Sequence, residues 1–369
     1  MFNRTAFHLV MAVVVLAALS CRSLDAHEHW GMQEGSVDLA SATTLAFGPD
    51  DILFIGDAKA ATVFAVATAD QNRESDRAPI AIQDLSGRLA TQTASQDVTV
   101  HDLVVNPRTG TAFLAVSADT QPMIVMVTGG NQLEVLNLKK CFFSKAVLDD
   151  APEDKVVKTG RRTRNPRQDA ITDLAFFENK LLVSGLRDAV ASSSVRELSF
   201  PFADQERGIG VQIYHAAHGR EEETSAMRTF VPLMIDGEPT IVGAYICTPL
   251  VKIPVSELGG DADRVNATTV AELGNRNRPL DMVAYERDGQ EYLLLSNSAR
   301  GVMKIPTHGL AEAPGLVEPV RGGGTAGQPY ETIDSLDGLL EMDLHSDAAL
   351  LVLMQDQNGK QNLMTVGLP

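Results

Sequence analysis

Cysteine, aromatic residues and positive charge are all scarce in this chain of 369 residues. Its three cysteines are Cys21, Cys141 and Cys247. The two outside the N-terminal region could pair in an oxidising compartment, but two cysteines do not make a disulfide framework. Aromatic residues make up only 5%, so Val, Leu and Ile must fill the core. The net charge of -17 repels nucleic acid and anionic lipid headgroups, and we expect neither as a partner.

Long hydrophobic runs are also rare, and the only one lies at residues 6–19, interrupted by His8. It is short for a membrane span, Arg4 precedes it and small residues follow it, so residues 1–26 are predicted to be an export signal. The protein is then expected outside the cytoplasm: periplasmic, secreted or lipid-anchored at the cell envelope. Residues 18–21 form a degenerate lipoprotein box, which would end the signal at residue 20 and place a lipid anchor on Cys21. Cleavage after Ser20 or Ala26 by the ordinary signal peptidase is the alternative, and both stay open.

Several catalytic motifs are missing from the sequence. It has no Gly-x-Ser-x-Gly elbow, no His-Glu-x-x-His and no Cys-x-x-Cys-His. The glycine-rich run at residues 322–327 lacks the Lys-Ser/Thr of a phosphate-binding loop, so it is interpreted as a loop between sheets. These absences leave open whether the protein is an enzyme.

A repeat of about 50 residues aligns with itself without a gap. The stretch from Asp236-Gly237 to Pro254 matches the stretch from Asp288-Gly289 to Pro306, and both end in Lys-Ile-Pro. Self-similarity at this period is typical of arrays of small β units and favours the blades of a propeller.

Six segments share the pattern of a small or acidic residue, an apolar strand, a turn and further strands. No long stretch after the N-terminal region shows helical periodicity, so we predict an all-β, six-bladed β-propeller as a single domain over residues 27–369. Residues 139–169 are predicted to be an insertion loop. Residues 35–39 are predicted to complete the last blade, so that N- and C-terminal strands pair and close the ring. The segments open at Thr44, Asp102, Asp173, Thr229, Asp281 and Asp337.

Four of these openings place an aspartate where the inner strand of a blade meets the central channel. Asp57 and Asn297, at the ends of second strands, are expected on the same face. Oxygen ligands around one axis suit Ca²⁺. The alternative is that each aspartate caps a turn by accepting backbone N–H groups. The sequence thus predicts a cation site formed by Asp57, Asp102, Asp173, Asp281, Asn297 and Asp337.

Basic side chains are expected around this site. His101, Arg276, Arg278 and Arg300 are predicted to form a rim that binds an anionic or carbonyl-containing ligand, with His101 as a base. Plain ion pairs with the carboxylates are the alternative. Residues 158–164 form a basic patch, interpreted either as a solvated loop or as a docking site for an acidic partner.

Two histidine pairs stand out as metal-ligand candidates. His215 and His218 would point to opposite faces of a strand, so they make a poor metal clamp unless they lie in a turn. His27 and His29 matter only if cleavage falls after Ala26, because a free amine with a histidine in third place chelates Cu(II) or Ni(II). Acylation of Cys21 would exclude that hypothesis.

Residues 45–57, Leu-Ala-Phe-Gly-Pro-Asp followed by Leu-Phe-Ile-Gly-Asp, resemble a blade of the six-bladed β-propeller superfamily of NHL-repeat proteins, gluconolactonases and paraoxonases. The resemblance is one of architecture. It implies a site at one end of the channel, which in the lactonases often holds Ca²⁺ on Asp, Asn and Glu side chains. The resemblance implies that Asp57, Asp173, Asp281 and Asn297 could fill such positions.

Three functional hypotheses follow. The first is an exported, non-catalytic propeller that binds a ligand, cation or partner protein at the top face of its channel. The second is a Ca²⁺-dependent hydrolase of lactones or esters, in which Asp173→Ala should abolish turnover with little loss of folding. The third is a periplasmic copper-handling or redox-associated protein. The expected partner is a small-molecule ligand or another exported protein, with membrane contact only through a lipid anchor.

Overall fold

The computed structural model describes residues 30–70, 78–128, 130–159, 162–203, 207–259 and 263–369. Their strands form six mainly antiparallel sheets around a central channel, which confirms the predicted six-bladed β-propeller. The predicted signal peptide, Cys21, His27 and His29 lie outside the described residues. Within them, no helix has both the length and the apolar character needed to cross a bilayer.

Each sheet is one blade, and the blades are numbered by the order of their inner strands along the chain. From the channel outward, blade 1 consists of Thr44–Phe47, Ile52–Asp57, Thr62–Ala67, Cys141–Val147 and Gln33–Gly35, and blade 2 of Val98–Val105, Ala112–Ala118, Gln121–Thr128 and Gln132–Val135. Blade 3 consists of Asp173–Phe177, Lys180–Arg187, Ser192–Ser199, Ile209–His215 and Arg220–Glu222, with Arg264–Asn266 paired in parallel to Ile209–His215. Blade 4 consists of Met227–Ile235, Glu238–Tyr245, Pro249–Pro254, Thr268–Glu272 and Ala326–Gly327.

The last two blades follow the same plan. Blade 5 consists of Pro279–Arg287, Gln290–Asn297, Met303–Pro306 and Glu331–Thr332, and blade 6 of Leu339–Ser346, Ala349–Gln355, Gln361–Gly367 and Ala81–Ile82. A separate hairpin joins Val157–Thr159 to Arg162–Arg164, and Leu85–Thr93 is an α-helix. Short 3-10 turns occur at Pro49–Asp51, Pro166–Asp169, Val255–Leu258 and Asp334–Leu336.

The repeated Asp-Gly pairs make the turns that the sequence predicts. Asp236 and Gly237 have φ of 50° and 79°, and Asp288 and Gly289 have φ of 54° and 73°. Positive φ at both central residues fits the right-handed twist of the flanking strands in a two-residue hairpin. The middle strands of the blades are almost wholly buried, as Ile52–Asp57 illustrates, because sheets cover them on both faces.

The blades do not follow one another around the ring in chain order. The inner strand of blade 1 contacts those of blades 2 and 3, and the inner strand of blade 6 contacts those of blades 5 and 2. The order around the axis is therefore 2, 1, 3, 4, 5, 6. The chain builds blade 2 on one side of blade 1, returns to add Cys141–Val147 to blade 1, and continues with blade 3 on the other side.

The strand that completes blade 6 differs from the prediction. Ala81–Ile82 pairs with Gln361–Gly367, and the Ile80 N–H donates to Thr365 Oγ1 at 2.9 Å. Gln33–Gly35 instead forms the outer edge of blade 1. An early segment does pair with a C-terminal strand, but residues 35–39 do not supply it, because Gly35 pairs with Cys141 at blade 1 and the Val37 N–H donates to the Leu138 carbonyl oxygen.

The segment expected as an insertion loop, residues 139–169, is only partly a loop. Cys141–Val147 is a blade strand that pairs with Thr62–Ala67. The rest, residues 148–169, carries the separate hairpin and ends beside the channel, where Gln168 and Asp169 line its entrance. The thiols of Cys141 and Cys247 are both free.

Candidate functional site

Every blade contributes to the lining of a cavity of about 410 Å³ at one end of the channel, and six of the lining side chains, one from each blade, form a ring. Five of the six come from the strand openings identified in the sequence. The sixth is Glu341, on the inner strand of blade 6. We call this set the entrance ring: Thr44, Asp102, Asp173, Thr229, Asp281 and Glu341.

Each aspartate of the entrance ring accepts two backbone hydrogen bonds. One comes from the next residue and the other from the inner strand of a neighbouring blade. Asp173, for example, accepts from the Leu174 N–H at 2.8 Å and from the Phe230 N–H of blade 4 at 2.8 Å. Asp102 and Asp281 repeat this arrangement at 2.5–2.7 Å. The aspartates therefore do cap backbone groups, and they also join neighbouring blades.

The four acids of the entrance ring share an environment that disfavours charge. Burial, with repulsion from Asp173, raises the pKa of Asp102 to about 8, and burial raises the pKa of Asp173 to about 6. Burial followed by repulsion from the other acids raises the pKa of Asp281 and Glu341 well above the usual values. Asp102 therefore keeps its proton at neutral pH more readily than Asp173 does.

Basic groups stand at the mouth of the same cavity. His101 and Arg278 line it, as the sequence predicted, together with Arg228. Arg228 forms an ion pair with Asp169 at 2.7 Å, and its buried Nε has no hydrogen-bond partner among the described residues. Burial and the neighbouring charge of Arg228 lower the pKa of Arg278. The cavity thus has an acidic floor and a basic edge.

Two further cavities adjoin the entrance. A side cavity of about 420 Å³ shares Thr43, His101 and Gln168 with it, and Arg167 lies in its wall. Inside the channel, a cavity of about 350 Å³ has mostly apolar walls and reaches the same three aspartates from the other side. Asp343 faces this inner cavity, and burial raises its pKa to about 6.

Three residues of the predicted cation site do not reach the entrance ring. Asp57 is buried and accepts hydrogen bonds from the N–H groups of Ala40, Ser41 and Ala60. Asn297 donates to the Leu295 and Gly301 carbonyl oxygens and accepts from Asn277. Asp337 is exposed in the turn before the inner strand of blade 6. The first two brace turns, and none of the three lines the entrance cavity.

Two residues of the predicted rim are also placed elsewhere. Arg276 is exposed in a left-handed turn, with φ of 56°. Arg300 donates to the carbonyl oxygens of Asn275 and Gly323, so it ties two loops together. Neither lines the entrance cavity.

Glu341 and Arg228 were missed from the sequence although both carry a signal. A large apolar residue follows every position of the entrance ring, as Met342 follows Glu341, whereas Gly338 follows Asp337. Arg228 directly precedes Thr229, as His101 directly precedes Asp102. The position of a residue relative to the apolar strand is therefore a better guide than its distance along the chain.

A second polar cluster lies at the edge of blades 3 and 4. His215 ends a strand and His218 lies in the turn that follows it, so the two side chains are not held on opposite faces of one strand. Their Nδ1 atoms lie 2.7 Å and 2.8 Å from the Glu222 carboxylate. Burial alone would raise the pKa of Glu222, but hydrogen bonds from both histidines and from Arg220 bring it below the usual value. Burial lowers the pKa of His215.

Comparison with known proteins identifies no family for this chain. No protein-family model matches the sequence. No curated protein is significantly similar to it. Solved structures with a similar course include a putative 6-phosphogluconolactonase from Bacteroides uniformis (10% identity, 92% of this chain and 79% of that chain, TM-score 0.37) and virginiamycin B lyase from Staphylococcus aureus (7% identity, 91% and 100%, TM-score 0.36). A putative glucose dehydrogenase from Thermus thermophilus is 13% identical over 91% of this chain and 100% of that chain, with a TM-score of 0.32. Sequence identities and TM-scores this low do not support assigning the activity of any of these proteins to this chain.

Proposed function

We propose that this protein is an exported, non-catalytic propeller that binds a divalent cation in its entrance ring. The preferred cation is Ca²⁺, and the bound cation in turn contacts a small ligand. The observation that carries the proposal is the convergence of four carboxyl groups on one cavity. Hard oxygen ligands of this kind suit Ca²⁺. The four groups would repel one another if all were ionised, and a bound cation offsets that repulsion.

The hydrogen bonds of the ring leave room for a cation. Each ring aspartate uses one acceptor position on each oxygen for a backbone N–H, and an ionised carboxylate offers about four such positions. The Glu341 side chain has no hydrogen bond within the described part of the chain. Glu341 is therefore the ring member that is freest to turn towards a cation.

The edge of the cavity suits a ligand that carries an anionic or carbonyl group. Arg228 and Arg278 stand beside the acidic floor, so a ligand oxygen could contact the cation and a guanidinium together. A cavity of about 410 Å³ falls within the usual size range for small-molecule sites. Export is part of this proposal, and it rests on the apolar run at residues 6–19.

Glu341→Gln should abolish high-affinity Ca²⁺ binding. The substitution removes one negative charge and breaks no backbone hydrogen bond, so the fold should persist while affinity falls by about 100-fold or more. Isothermal titration of chelator-treated protein at pH 8 measures this directly. Wild type should bind one Ca²⁺ per chain.

Asp337→Asn is the matched control because it removes the same charge from the exposed turn before the same strand. Its affinity for Ca²⁺ should equal that of wild type. Equal binding by both variants, or no binding by wild type at millimolar Ca²⁺, would refute the proposed site.

Hydrolysis of a lactone or ester is the second candidate function, and the position of His101 favours it. His101 lines both the entrance cavity and the side cavity, where its Nε2 lies 2.8 Å from Ser117 Oγ. Burial lowers the pKa of its imidazole, which is therefore neutral and can accept a proton. If this is the activity, Ca²⁺-dependent turnover of a lactone and ester panel should fall about 100-fold or more in His101→Gln and little in Ser117→Ala. Absence of Ca²⁺-dependent turnover in wild type would exclude this candidate and leave cation binding intact.

A further inference from the structure

The His215–His218 turn brings two imidazoles together at the edge of blade 3. His215 is the last residue of Ile209–His215, and the chain then folds tightly, with the N–H groups of His218 and Gly219 donating to the His215 carbonyl at 3.0 Å and 2.8 Å. Gly219 has φ of 64°, which closes the turn into Arg220–Glu222. In a helix-like turn, residues three apart share a face, so the two ring centroids lie 3.9 Å apart.

Glu222 fixes both rings from the next strand. Its Oε2 meets His215 Nδ1 and its Oε1 meets His218 Nδ1, while Arg220 also donates to Oε1 at 2.9 Å. One potential ligand atom from each of His215, His218 and Glu222 lies within 4.8 Å of the other two. Three such groups can therefore reach one ion with small side-chain rotations.

Buried atoms without partners border the cluster. His215 is 3% exposed, and its Nε2 has no hydrogen-bond partner among the described residues. Glu272 is fully buried, and one of its oxygens accepts from Ala217 N–H in the histidine turn at 3.0 Å, while Oε1 likewise has no partner there. Leaving buried polar atoms unpaired is costly. A cluster that serves only as an ion pair gains nothing from them, whereas a metal site uses such atoms to bind or orient its ligands.

The cluster opens into a cavity of about 670 Å³, which gives an ion a route in and room for another ligand. Cys247 lines the same cavity with a free thiol. Imidazole nitrogens and a thiol are ligands of zinc and similar ions, whereas Ca²⁺ takes oxygen ligands. The cavity is therefore chemically distinct from the entrance ring.

We propose that His215, His218 and Glu222 bind a Zn²⁺ ion whose fourth position faces this cavity. Each imidazole already lies within hydrogen-bond distance of Glu222, and the three ligand atoms lie within 4.8 Å of one another, so bond lengths of about 2.0–2.2 Å to one ion need only small movements. Three protein ligands with one open position are the arrangement of zinc sites that bind water or an exogenous ligand rather than of purely structural sites. This inference does not depend on the function proposed for the entrance ring.

Titration of the chelator-treated full chain with Zn²⁺ against a chromophoric chelator tests the proposal. Wild type should bind one Zn²⁺ tightly, and Co²⁺ in its place should give the visible bands of a four-coordinate site. His218→Ala should weaken binding by about 100-fold or more and remove those bands. The His218 side chain is 44% exposed, so this variant should still fold. Glu222→Gln serves as a second variant with the same expectation.

His308→Ala is the matched control, because it removes an exposed histidine that neither belongs to the cluster nor lines its cavity, and it should leave Zn²⁺ binding unchanged. Metal held elsewhere in the chain, for example at His27 and His29, would survive His218→Ala and Glu222→Gln, and that result would overturn the proposal. So would the absence of any Zn²⁺ binding by wild type at micromolar concentration.

Discussion

Asp173→Ala is expected to lower the free energy of unfolding by about 2–4 kcal/mol at pH 5, because it removes the acceptor of two backbone N–H groups. Those groups belong to Leu174 and to Phe230 of the neighbouring blade, so the substitution loosens a contact between blades 3 and 4. Urea denaturation measures the change. The sequence alone predicted little loss of folding at this position, because it showed the carboxylate but not its partners.

Asp173→Ala should lower the free energy of unfolding by less at pH 8 than at pH 5. At the higher pH, more of the ring acids are charged, and removal of one acid relieves repulsion that partly offsets the lost hydrogen bonds. Asp337→Ala provides the control, because its side chain is exposed and lies outside the ring. Equal stability of Asp173→Ala and Asp337→Ala at pH 5 would show that the two backbone bonds contribute nothing.

Without a divalent cation, the protein should lose stability as the pH rises from about 4 to about 8. The pKa of Asp102 is about 8 and that of Asp173 about 6 in the folded chain, above the value of about 3.9 for an unfolded aspartate. The folded state therefore binds more protons in this window, and its stability is greatest below the unfolded pKa and is lost as these acids ionise. We expect Tm in chelator to be about 5–10 °C lower at pH 8 than at pH 5.

Ca²⁺ should reverse this loss at pH 8 and have little effect at pH 5, where protons occupy the ring. His101, Arg228 and Arg278 also face the cavity, so the variant Glu341→Gln is needed to assign the effect to the acids. Its Tm should vary less with pH than that of wild type, whereas Asp337→Asn should behave like wild type. A Tm in chelator that is constant or rises between pH 5 and pH 8 would contradict the prediction.

The sequence was most informative where local pattern decides structure. In the inner strands a polar residue directly precedes an apolar run, and this pattern predicts Asp102, Asp173 and Asp281 at the channel, where the structure places them. Asp-Gly turns between strands were equally clear. Both features depend on residues that are close together in the chain, and a single sequence displays them.

The pairing of strands that are distant in the chain cannot be predicted from such local patterns. Nothing in Cys141–Val147 indicates that it pairs with Thr62–Ala67 across an intervening blade, and nothing in Ala81–Ile82 points to Gln361–Gly367. The ring order, with blade 2 between blades 6 and 1, follows from these pairings. The sequence does not predict the histidine cluster for a related reason, because the geometry of the cluster depends on the turn that follows the end of the strand at His215.

The pairing of Ala81–Ile82 with Gln361–Gly367, which completes blade 6, also affects how the protein folds. Ile80 hydrogen-bonds to Thr365, a partner 285 positions later in the chain. Contacts of this separation raise the contact order and slow folding. Until Gln361–Gly367 is in place, the edge of Ala81–Ile82 has no strand to pair with and stays accessible to proteases or to other chains. Resistance to proteolysis should therefore arise late, only after Gln361–Gly367 has paired with Ala81–Ile82.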